Sequence, residues 1–298
     1  MFSNFTLFDI PVDPSVTIHG VHGGSPSNPA LLLLHGFPQT HHIWHRIADS
    51  LTEKYFVVAL DLRGYGQSSK PDGGEGHVRY GKKAMARDAV KVIDKLYGSN
   101  NSFFVCAHDR GARVAHRLCV DYPTRVNKAI FLDICPTLAM YSQTDLTFAK
   151  AYFHWFFLIQ DSPFPERTIT ADPQAWVEGF MGGRHAGLES FTDECLVEYA
   201  GNLKDYKTVH AMCEDYRASA SIDLQEAAAD IEQNRHIQCP LRVFWGKHGV
   251  IEKCFDAVAE WKRVSVAEVD GRAVDSGHYI PEERPQDVLA AILDFFII

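Results

Sequence analysis

Short runs of consecutive apolar residues recur along the chain, and each run ends in a polar turn. Because apolar positions within them are continuous rather than alternating, they predict strands covered on both faces, as in a parallel sheet. Helical patterns lie between the runs, for example at 82–97 and 112–121. This alternation predicts an α/β fold with a doubly wound, mostly parallel sheet. The predicted strands are 30–34, 55–62, 103–107, 129–132 and 241–245.

The pattern changes between about residues 137 and 235. No β-branched strand is evident there, and aromatic-rich helical stretches cover 146–159 and 196–220. Prolines break the chain between these two stretches. We therefore expect a helical cap inserted into one core. The expected segments are 1–136 for the first part of the core, 137–235 for the cap and 236–298 for the second part of the core.

The run at 103–107 leads into a turn that carries an acidic residue. Asp109 follows this strand, with Ala107 two positions before it and Gly111 two positions after it. A strand, a tight turn and a helix form a nucleophile elbow, which lifts one side chain above the end of a parallel strand. A carboxylate in that position can attack a saturated carbon and form an ester that water then hydrolyses. The alternative role for Asp109 is an ordinary helix N-cap.

Two arginines follow the elbow within one helical turn. Helical side chains lean toward the N-terminus of their helix, so Arg113 can reach back to Asp109. Arg110 and Arg113 could then bind the carboxylate of a small acid, each charge-assisted hydrogen bond contributing about 1.5–3 kcal/mol. The alternative is a pair of solvated arginines on the helix surface. The elbow and the arginines together favour displacement of a leaving group from a small carboxylic acid.

Composition narrows the possible partners. Apolar residues make up 46% of the chain and charged residues 22%, as in ordinary globular proteins. The formal net charge of −9 argues against a nucleic-acid partner. Seven scattered cysteines predict buried free thiols in a reducing compartment, and we expect a cytoplasmic protein without a signal peptide or membrane span. His41, His42 and His45 are irregularly spaced without an adjacent acid, so we expect no metal site.

Several separated motifs together resemble the α/β-hydrolase superfamily nearly end to end. Within that superfamily the elbow, His154-Trp155 and Asp215-Tyr216-Arg217 look like those of the fluoroacetate (haloacetate) dehalogenases. The resemblance implies conversion of fluoroacetate or chloroacetate and water to glycolate and halide, in a homodimer that needs no cofactor. The superfamily motifs are His35-Gly36-Phe37-Pro38, Asp61-Leu62-Arg63-Gly64-Tyr65-Gly66-Gln67-Ser68, the Asp109 elbow and Ser276-Gly277-His278.

The resemblance also assigns the catalytic residues. Asp109 would be the nucleophile, and His278 would activate water against the ester. Many members carry an acidic partner for the histidine after the strand at 241–245, but the turn at 246–249 has no Asp here. Asp133, after the strand at 129–132, is the substitute that the haloacetate dehalogenases use. Glu252 remains the other candidate for this acid.

The same resemblance implies a halide site and an oxyanion hole. His154, Trp155 and Tyr216 would hold the leaving halide, because their ring N–H and O–H groups can donate into an apolar pocket. The backbone N–H groups of Phe37 and Arg110 would form the oxyanion hole. Other cap tyrosines compete for the halide role, and the Phe37–Pro38 peptide is a candidate for the cis form. The competing tyrosines are Tyr152 and Tyr206.

Two other functions stay open at this point. An epoxide hydrolase would use the same Asp109 nucleophile, with Tyr152 or Tyr216 protonating the opening ring; Arg110 directly after the nucleophile speaks against a neutral substrate. A non-catalytic ligand-binding protein of the same fold is the second alternative. The segment at 171–188 does not match the pocket wall of the haloacetate dehalogenases. The size of the pocket is therefore not predicted.

Overall fold

An eight-stranded sheet lies at the centre of the computed structural model, which describes residues 2–297. The strand order is β1-β2-β4-β3-β5-β6-β7-β8. The first two strands pair antiparallel, β2 also runs antiparallel to β4, and β3 to β8 are parallel to one another. The predicted α/β fold with a mostly parallel sheet is confirmed. The strands are β1 (Thr6–Asp13), β2 (Val16–Gly23), β3 (Ala30–Leu34), β4 (Phe56–Leu60), β5 (Phe103–His108), β6 (Val126–Leu132), β7 (Leu241–Gly246) and β8 (Val269–Val274).

Helices cover both faces of this sheet. They are α1 (Ala48–Leu51), α2 (Lys82–Tyr97), α3 (Asp109–Asp121), α4 (Thr137–Ser142), α5 (Leu146–Ala151), α6 (Phe153–Phe157), α7 (Phe164–Ala171), α8 (Pro173–Phe180), α9 (Asp193–Asn202), α10 (Tyr206–Ser219), α11 (Ile222–Glu232), α12 (Val250–Cys254), α13 (Ala257–Lys262), α14 (Ile280–Glu283) and α15 (Pro285–Phe295). Two short 3₁₀ helices span His41–Trp44 and Glu75–Tyr80.

The central strand β3 shows why the apolar runs are continuous. Successive side chains of a strand point to opposite faces of the sheet. Leu32 and Leu34 pack in one core with α2 and α3, whereas Leu31 and Leu33 pack in a second core with α15. Every residue of β3 is fully buried, which explains why the strand has apolar residues at every position instead of an alternating pattern. The two cores lie on opposite sides of the same sheet.

Eight of the helices, α4 to α11, follow β6 and precede β7. We call residues 137–235 the helical insertion. The predicted helix at 146–159 is two helices, α5 and α6, because Tyr152 has non-helical backbone angles. The predicted stretch at 196–220 likewise contains the end of α9 and the whole of α10. In residues 2–297, no helix is both long and apolar enough to cross a bilayer.

The parallel strands bring four loops to one edge of the sheet. Carboxyl ends of parallel strands share an edge, and ligands of open α/β sheets bind there. At this edge β3 leads into Phe37, β5 into Asp109 and β6 into Asp133. The loop after β8 carries His278 to the same place. The residues predicted to be functional therefore meet although they are distant in sequence.

A buried acid, Glu282, lies in α14 just after the His278 loop. Its Oε1 accepts a hydrogen bond of 2.8 Å from the Tyr199 hydroxyl of α9. Its Oε2 has no hydrogen-bond partner among the described residues and lies 3.9 Å from Arg46 Nε. Burial raises the pKa of Glu282 to about 8. The folded protein therefore holds this carboxyl protonated at neutral pH.

The raised pKa of Glu282 predicts a pH-dependent stability. The carboxyl titrates near 4.5 when unfolded and near 8 when folded, so its contribution is fully present below pH 4.5 and is lost as pH rises through 8. The glutamine in Glu282→Gln cannot ionise. Above pH 8 the unfolding free energy of this variant should therefore be about 2–5 kcal/mol higher than that of the parent. Denaturant unfolding of both proteins between pH 5 and 9 measures this. Parallel stability curves would contradict the prediction.

Candidate active site

The turn between β5 and α3 places Asp109 in an unusual backbone conformation. Asp109 has a φ of +46°, the left-handed region that L-residues rarely adopt. Two glycines make room for this turn. A Cβ on Gly36 would lie 2.6 Å from the Cβ of Asp109, and one on Gly111 would lie 2.4 Å from the His35 carbonyl oxygen. The small residue two positions after the Asp is thus required by a close approach of β3.

The Asp109 carboxylate is buried and hydrogen-bonded. Asp109 is only 3% exposed to solvent. Its Oδ1 accepts a hydrogen bond of 3.0 Å from the Phe37 backbone N–H. The Phe37–Pro38 peptide is cis. Burial opposes ionisation of Asp109, but its electrostatic interactions with His278 and with the Arg110 and Arg113 guanidinium groups outweigh burial and lower its pKa. Asp109 is therefore an ionised carboxylate with Oδ2 left for chemistry.

The structure brings His278 and Asp133 together beside Asp109. His278 Nε2 lies 3.9 Å from Asp109 Oδ2, and His278 Nδ1 donates to Asp133 Oδ2 at 2.5 Å. The other oxygen of Asp133 accepts the Gly246 N–H at 2.8 Å. Glu252, the alternative acid, instead accepts a hydrogen bond from the Trp245 indole on the surface. The geometry gives His278 its acidic partner from the turn after β6.

A second histidine, His108, positions the loop that carries His278. His108 Nε2 donates to the His278 carbonyl oxygen at 2.8 Å, and the two rings lie 4.8 Å apart. Burial lowers the pKa of His108 to about 4, so the ring is neutral near pH 7. The Tyr152 hydroxyl lies 3.3 Å from His278 Nδ1 on the side of the helical insertion. Sequence analysis gave neither residue a role in holding His278.

Arg110 forms an ion pair with Asp215, a residue to which sequence analysis assigned no role. Its Nε donates to Asp215 Oδ2 at 2.9 Å, and its Nη2 donates to Asp215 Oδ1 at 2.8 Å and to the Asp215 carbonyl at 2.9 Å. Nη1 reaches Ser219 Oγ at 3.4 Å, and the guanidinium lies 4.1 Å from the centre of the Tyr216 ring. A guanidinium has five N–H groups, so one remains for a ligand.

Asp215 is the centre of a larger buried group. Besides Arg110 it accepts hydrogen bonds from Lys82 and, at 2.7 Å, from the Tyr65 hydroxyl. Burial opposes its charge, but Arg110 and Lys82 outweigh burial and lower its pKa. The sequence did point to Asp215 as a residue near the site, because it directly precedes Tyr216 in the motif Asp215-Tyr216-Arg217. Its partner could not be read from spacing, because Arg110 lies 105 positions away.

Arg113, by contrast, has no carboxylate partner in residues 2–297. Its Nη1 donates to Thr137 Oγ1 at 2.8 Å and to the Cys135 carbonyl at 3.3 Å, and its Nε is buried without a partner. The guanidinium lies 4.7 Å from the Trp155 ring centre. Sequence analysis treated Arg110 and Arg113 as equals. The structure distinguishes them, because the positive charge of Arg113 is the one not paired with an acid.

The three residues predicted to hold the halide share one property. His154 Nδ1, Trp155 Nε1 and the Tyr216 hydroxyl are all buried and have no hydrogen-bond partner among the described residues. The His154 and Tyr216 rings lie 5.8 Å apart, and Phe37 packs against both. Burial holds the pKa of His154 well below its usual range, so its ring is neutral. Buried polar groups without partners are uncommon and need an explanation.

The histidines near the start of the chain have acidic partners after all. His41 pairs with Asp61, and His42 pairs with Glu198 of α9. The expectation that no acid accompanies these histidines is wrong, because the acids come from distant segments. His45 lies within 4.8 Å of Cys195 and Glu282, and its Nδ1 donates to the His42 carbonyl at 2.8 Å. These contacts join the core to α9, and we assign them no metal.

Comparison with known proteins agrees with this architecture. A sequence profile for the alpha/beta hydrolase fold matches residues 29–285. The chain belongs to the α/β-hydrolase family. Within this family it is 40% identical, over 296 residues, to a fluoroacetate dehalogenase from Burkholderia sp., covering 99% of this chain and 95% of that protein. The resemblance inferred from the motifs is therefore confirmed.

Two further relatives, one of them a solved structure, are also similar to this chain over almost its whole length. A crystal structure of the α/β hydrolase ALR0039 from Nostoc sp PCC 7120 superposes with a TM-score of 0.93 at 43% identity and covers 99% of both chains. A soluble epoxide hydrolase from Corynebacterium sp. (strain C12) is 28% identical, covering 94% of this chain and 93% of that protein. The fold is shared with both.

We expect removal of the Asp215 charge to lower the stability of the protein strongly. Asp215→Asn leaves Arg110 as a buried cation without a countercharge and leaves Lys82 with Asp223 alone, so the unfolding free energy should fall by about 3–5 kcal/mol. Asp72→Asn is the matched control, because the Asp72–Arg79 ion pair is exposed and should cost about 1 kcal/mol or less. Denaturant unfolding measures both. Equal losses in the two variants would show that Asp215 does not neutralise a buried charge.

Proposed function

We propose that this protein is a haloacetate dehalogenase that converts fluoroacetate or chloroacetate, with water, to glycolate and halide. The observation that carries the proposal is an ionised carboxylate, Asp109, at the elbow, with the unpaired cation of Arg113 beside it. A cation in this place suits a substrate that brings its own carboxylate. The 40% identity to a fluoroacetate dehalogenase supports the same activity.

The first chemical step joins the substrate to Asp109. Arg113 and the remaining N–H of Arg110 bind the substrate carboxylate. Phe37 holds Asp109 Oδ1, so Oδ2 attacks the carbon that bears the halogen from the side opposite the leaving group. A C–O bond forms while the C–halogen bond breaks, and its electron pair departs with the halide. Fixing the attacking oxygen in line supplies the orientation that this displacement needs.

The leaving halide requires donors where its charge develops. His154, Trp155 and Tyr216 would supply them, since their buried N–H and O–H groups have no partner in the described part of the chain. Fluoride is a poor leaving group, and three buried donors lower the barrier most for such an ion. The same donors would be left unsatisfied by a substrate without a halogen.

The second step hydrolyses the ester. His278 Nε2 takes a proton from water, and the resulting hydroxide attacks the acyl carbon of Asp109. Asp133 stabilises the imidazolium through the hydrogen bond to Nδ1. The Phe37 and Arg110 backbone N–H groups stabilise the oxyanion. The bond from the acyl carbon to the ester oxygen, the former Oδ2, then breaks. This oxygen leaves in glycolate and takes the proton from His278, while the water oxygen remains in Asp109.

The two alternatives fit the site less well. An epoxide hydrolase would use the Tyr152 or Tyr216 hydroxyl to protonate the ring oxygen, but its neutral substrate would leave Arg113 buried without an anion. A non-catalytic binding protein would not need His278 placed 3.9 Å from Asp109 and paired with Asp133. The epoxide hydrolase is a separate outcome of the first experiment below, and turnover of any haloacid there excludes the binding protein.

We further propose that residues 137–235 act as a cap domain over a core built from 1–136 and 236–298. We also propose that the enzyme works in the cytoplasm as a homodimer. The seven cysteines support a reducing compartment, because none of them forms a disulfide in the structure. The dimer is an expectation from the haloacetate dehalogenases. Light scattering of the purified protein measures its mass directly.

Halide release tests the function. Purified protein should release fluoride from fluoroacetate and chloride from chloroacetate. Asp109→Asn should abolish both, because an amide cannot form the ester; the expected loss is at least about 10⁴-fold. Ion-selective electrodes measure both halides. Chloride release alone would overturn the proposed fluoride site, and release from neither acid, with turnover of an epoxide, would establish the epoxide hydrolase.

A stalled ester tests the mechanism. His278→Gln cannot activate water, so chloroacetate should convert Asp109 to a carboxymethyl ester that persists. Mass spectrometry of a peptide containing Asp109 detects the added group. In the parent enzyme, one turnover in ¹⁸O-labelled water should place the label in Asp109 rather than in glycolate. Label appearing first in glycolate would contradict attack at the acyl carbon.

A further inference from the structure

An open cleft with a volume of about 630 Å³ leads from the surface to His278. It lies where the helical insertion meets the core, between the end of α8 and the loops after β7 and β8. Four cations line this cleft, and no carboxylate side chain in residues 2–297 does so. The chain as a whole carries a net charge of −9, so the entrance has the opposite sign to the molecule. The four cations are Lys150, Arg184, Lys247 and Lys253.

Arg184 is the cation closest to the chemistry. Its guanidinium lies 5.0 Å from the ring centres of both Tyr152 and Phe180. Those two rings form part of the wall of the site. The Tyr152 hydroxyl lies 3.3 Å from His278 Nδ1, and the Phe180 ring lies 4.7 Å from the His154 ring. Arg184 is thus separated by a single ring from His278 and from the proposed halide site.

The segment that carries Arg184 is packed on the catalytic loop. The neighbouring His185 stacks on His248 of the loop after β7, with ring centres 3.9 Å apart. A Cβ on Gly277 would lie 2.9 Å from the Cβ of His185. His248 in turn pairs with Asp275, which does not line the cleft. These contacts fix the backbone beside Arg184 while its guanidinium faces the cleft.

No acid in the described chain neutralises Arg184, Lys150, Lys247 or Lys253 with an ion pair, whereas Arg110 is neutralised by Asp215. Three of the four are lysines exposed to solvent, and Arg184 is partly buried between the two aromatic rings. A partly desolvated guanidinium without a countercharge attracts anions more strongly than a solvated lysine. Its planar N–H groups suit the two oxygens of a carboxylate.

We propose that Arg184 forms an anion-binding site at the entrance, which takes small monocarboxylates and delivers them past His278 to Asp109. Lys150, Lys247 and Lys253 raise the local concentration of the anion around it. The identity of the anion as a haloacetate rests on the proposed function, but the binding site itself does not. A cleft lined by one sign of charge increases the association rate, and salt weakens this effect.

The test measures binding separately from turnover. Calorimetry with chloroacetate is carried out on Asp109→Asn, which cannot react, and on Asp109→Asn combined with Arg184→Gln. The second protein should bind chloroacetate about ten- to a hundredfold more weakly. Arg184→Lys in the same background should recover part of this loss. Arg167→Gln in the Asp109→Asn background is the matched control, because it removes an exposed cation of the insertion that does not line the cleft. This control should bind chloroacetate as tightly as Asp109→Asn alone.

Kinetics of the reactive enzyme provide the second measurement. Arg184→Gln should raise KM for chloroacetate by a similar factor while kcat stays within about twofold. The salt dependence of kcat/KM should become weaker. If Arg184→Gln does not fold, Lys247→Gln with Lys253→Gln removes two exposed charges of the same cleft. That double variant should show a smaller rise in KM and the same weaker salt dependence.

The outcomes separate the two proposals. If Arg184→Gln binds chloroacetate as tightly as its parent, or releases halide with unchanged KM, the entrance site is overturned while the dehalogenase stands. If the parent releases no halide but Asp109→Asn binds chloroacetate in an Arg184-dependent way, the dehalogenase is overturned while the entrance site stands. If no carboxylate binds and none reacts, both proposals fail.

Discussion

The rest of the structure depends on keeping one buried carboxylate, that of Asp109, ionised. Removing such a group from water costs several kcal/mol unless cations and donors replace its hydration. Phe37 supplies a backbone N–H, and His278 and Arg113 supply positive or donating groups. Arg110 would add a further buried cation, so the helical insertion provides Asp215 to balance it. The insertion is therefore needed for charge balance as well as for covering the site.

Much of the fold could be predicted because buried parallel strands have simple sequences. Runs such as that of β3 are apolar at every position, and the structure confirms them. The strands that sequence analysis missed lie toward the sheet edges and contain polar residues or helix- and strand-breaking ones. Pro11 interrupts β1, Gly20 lies in β2, and β8 includes an Asp, a Gly and an Arg. Their pairing depends on neighbouring strands, which no short sequence window contains.

Local sequence identified the candidate nucleophile because a tight turn restricts its own flanking residues. Gly111 lies two positions from Asp109, and the reason, a close approach to His35, is visible in the structure. Partners from distant segments could not be found in this way. The Asp215 carboxylate reaches Arg110 only after the insertion packs on the core. Arg184 belongs to no recognisable motif, and its position depends on the rings of Tyr152, between α5 and α6, and of Phe180 in α8.

Asp133 contacts His278 from the turn after β6, and this position has an evolutionary consequence. The last residue of β7, Gly246, contributes only a backbone N–H to that pair. The exposed side chain of Lys247 can therefore change in a lineage without altering the transfer of protons. Mutations there would alter which molecules enter while the inherited reaction stays the same. A scaffold arranged in this way can acquire new substrates through changes at its rim, one residue at a time.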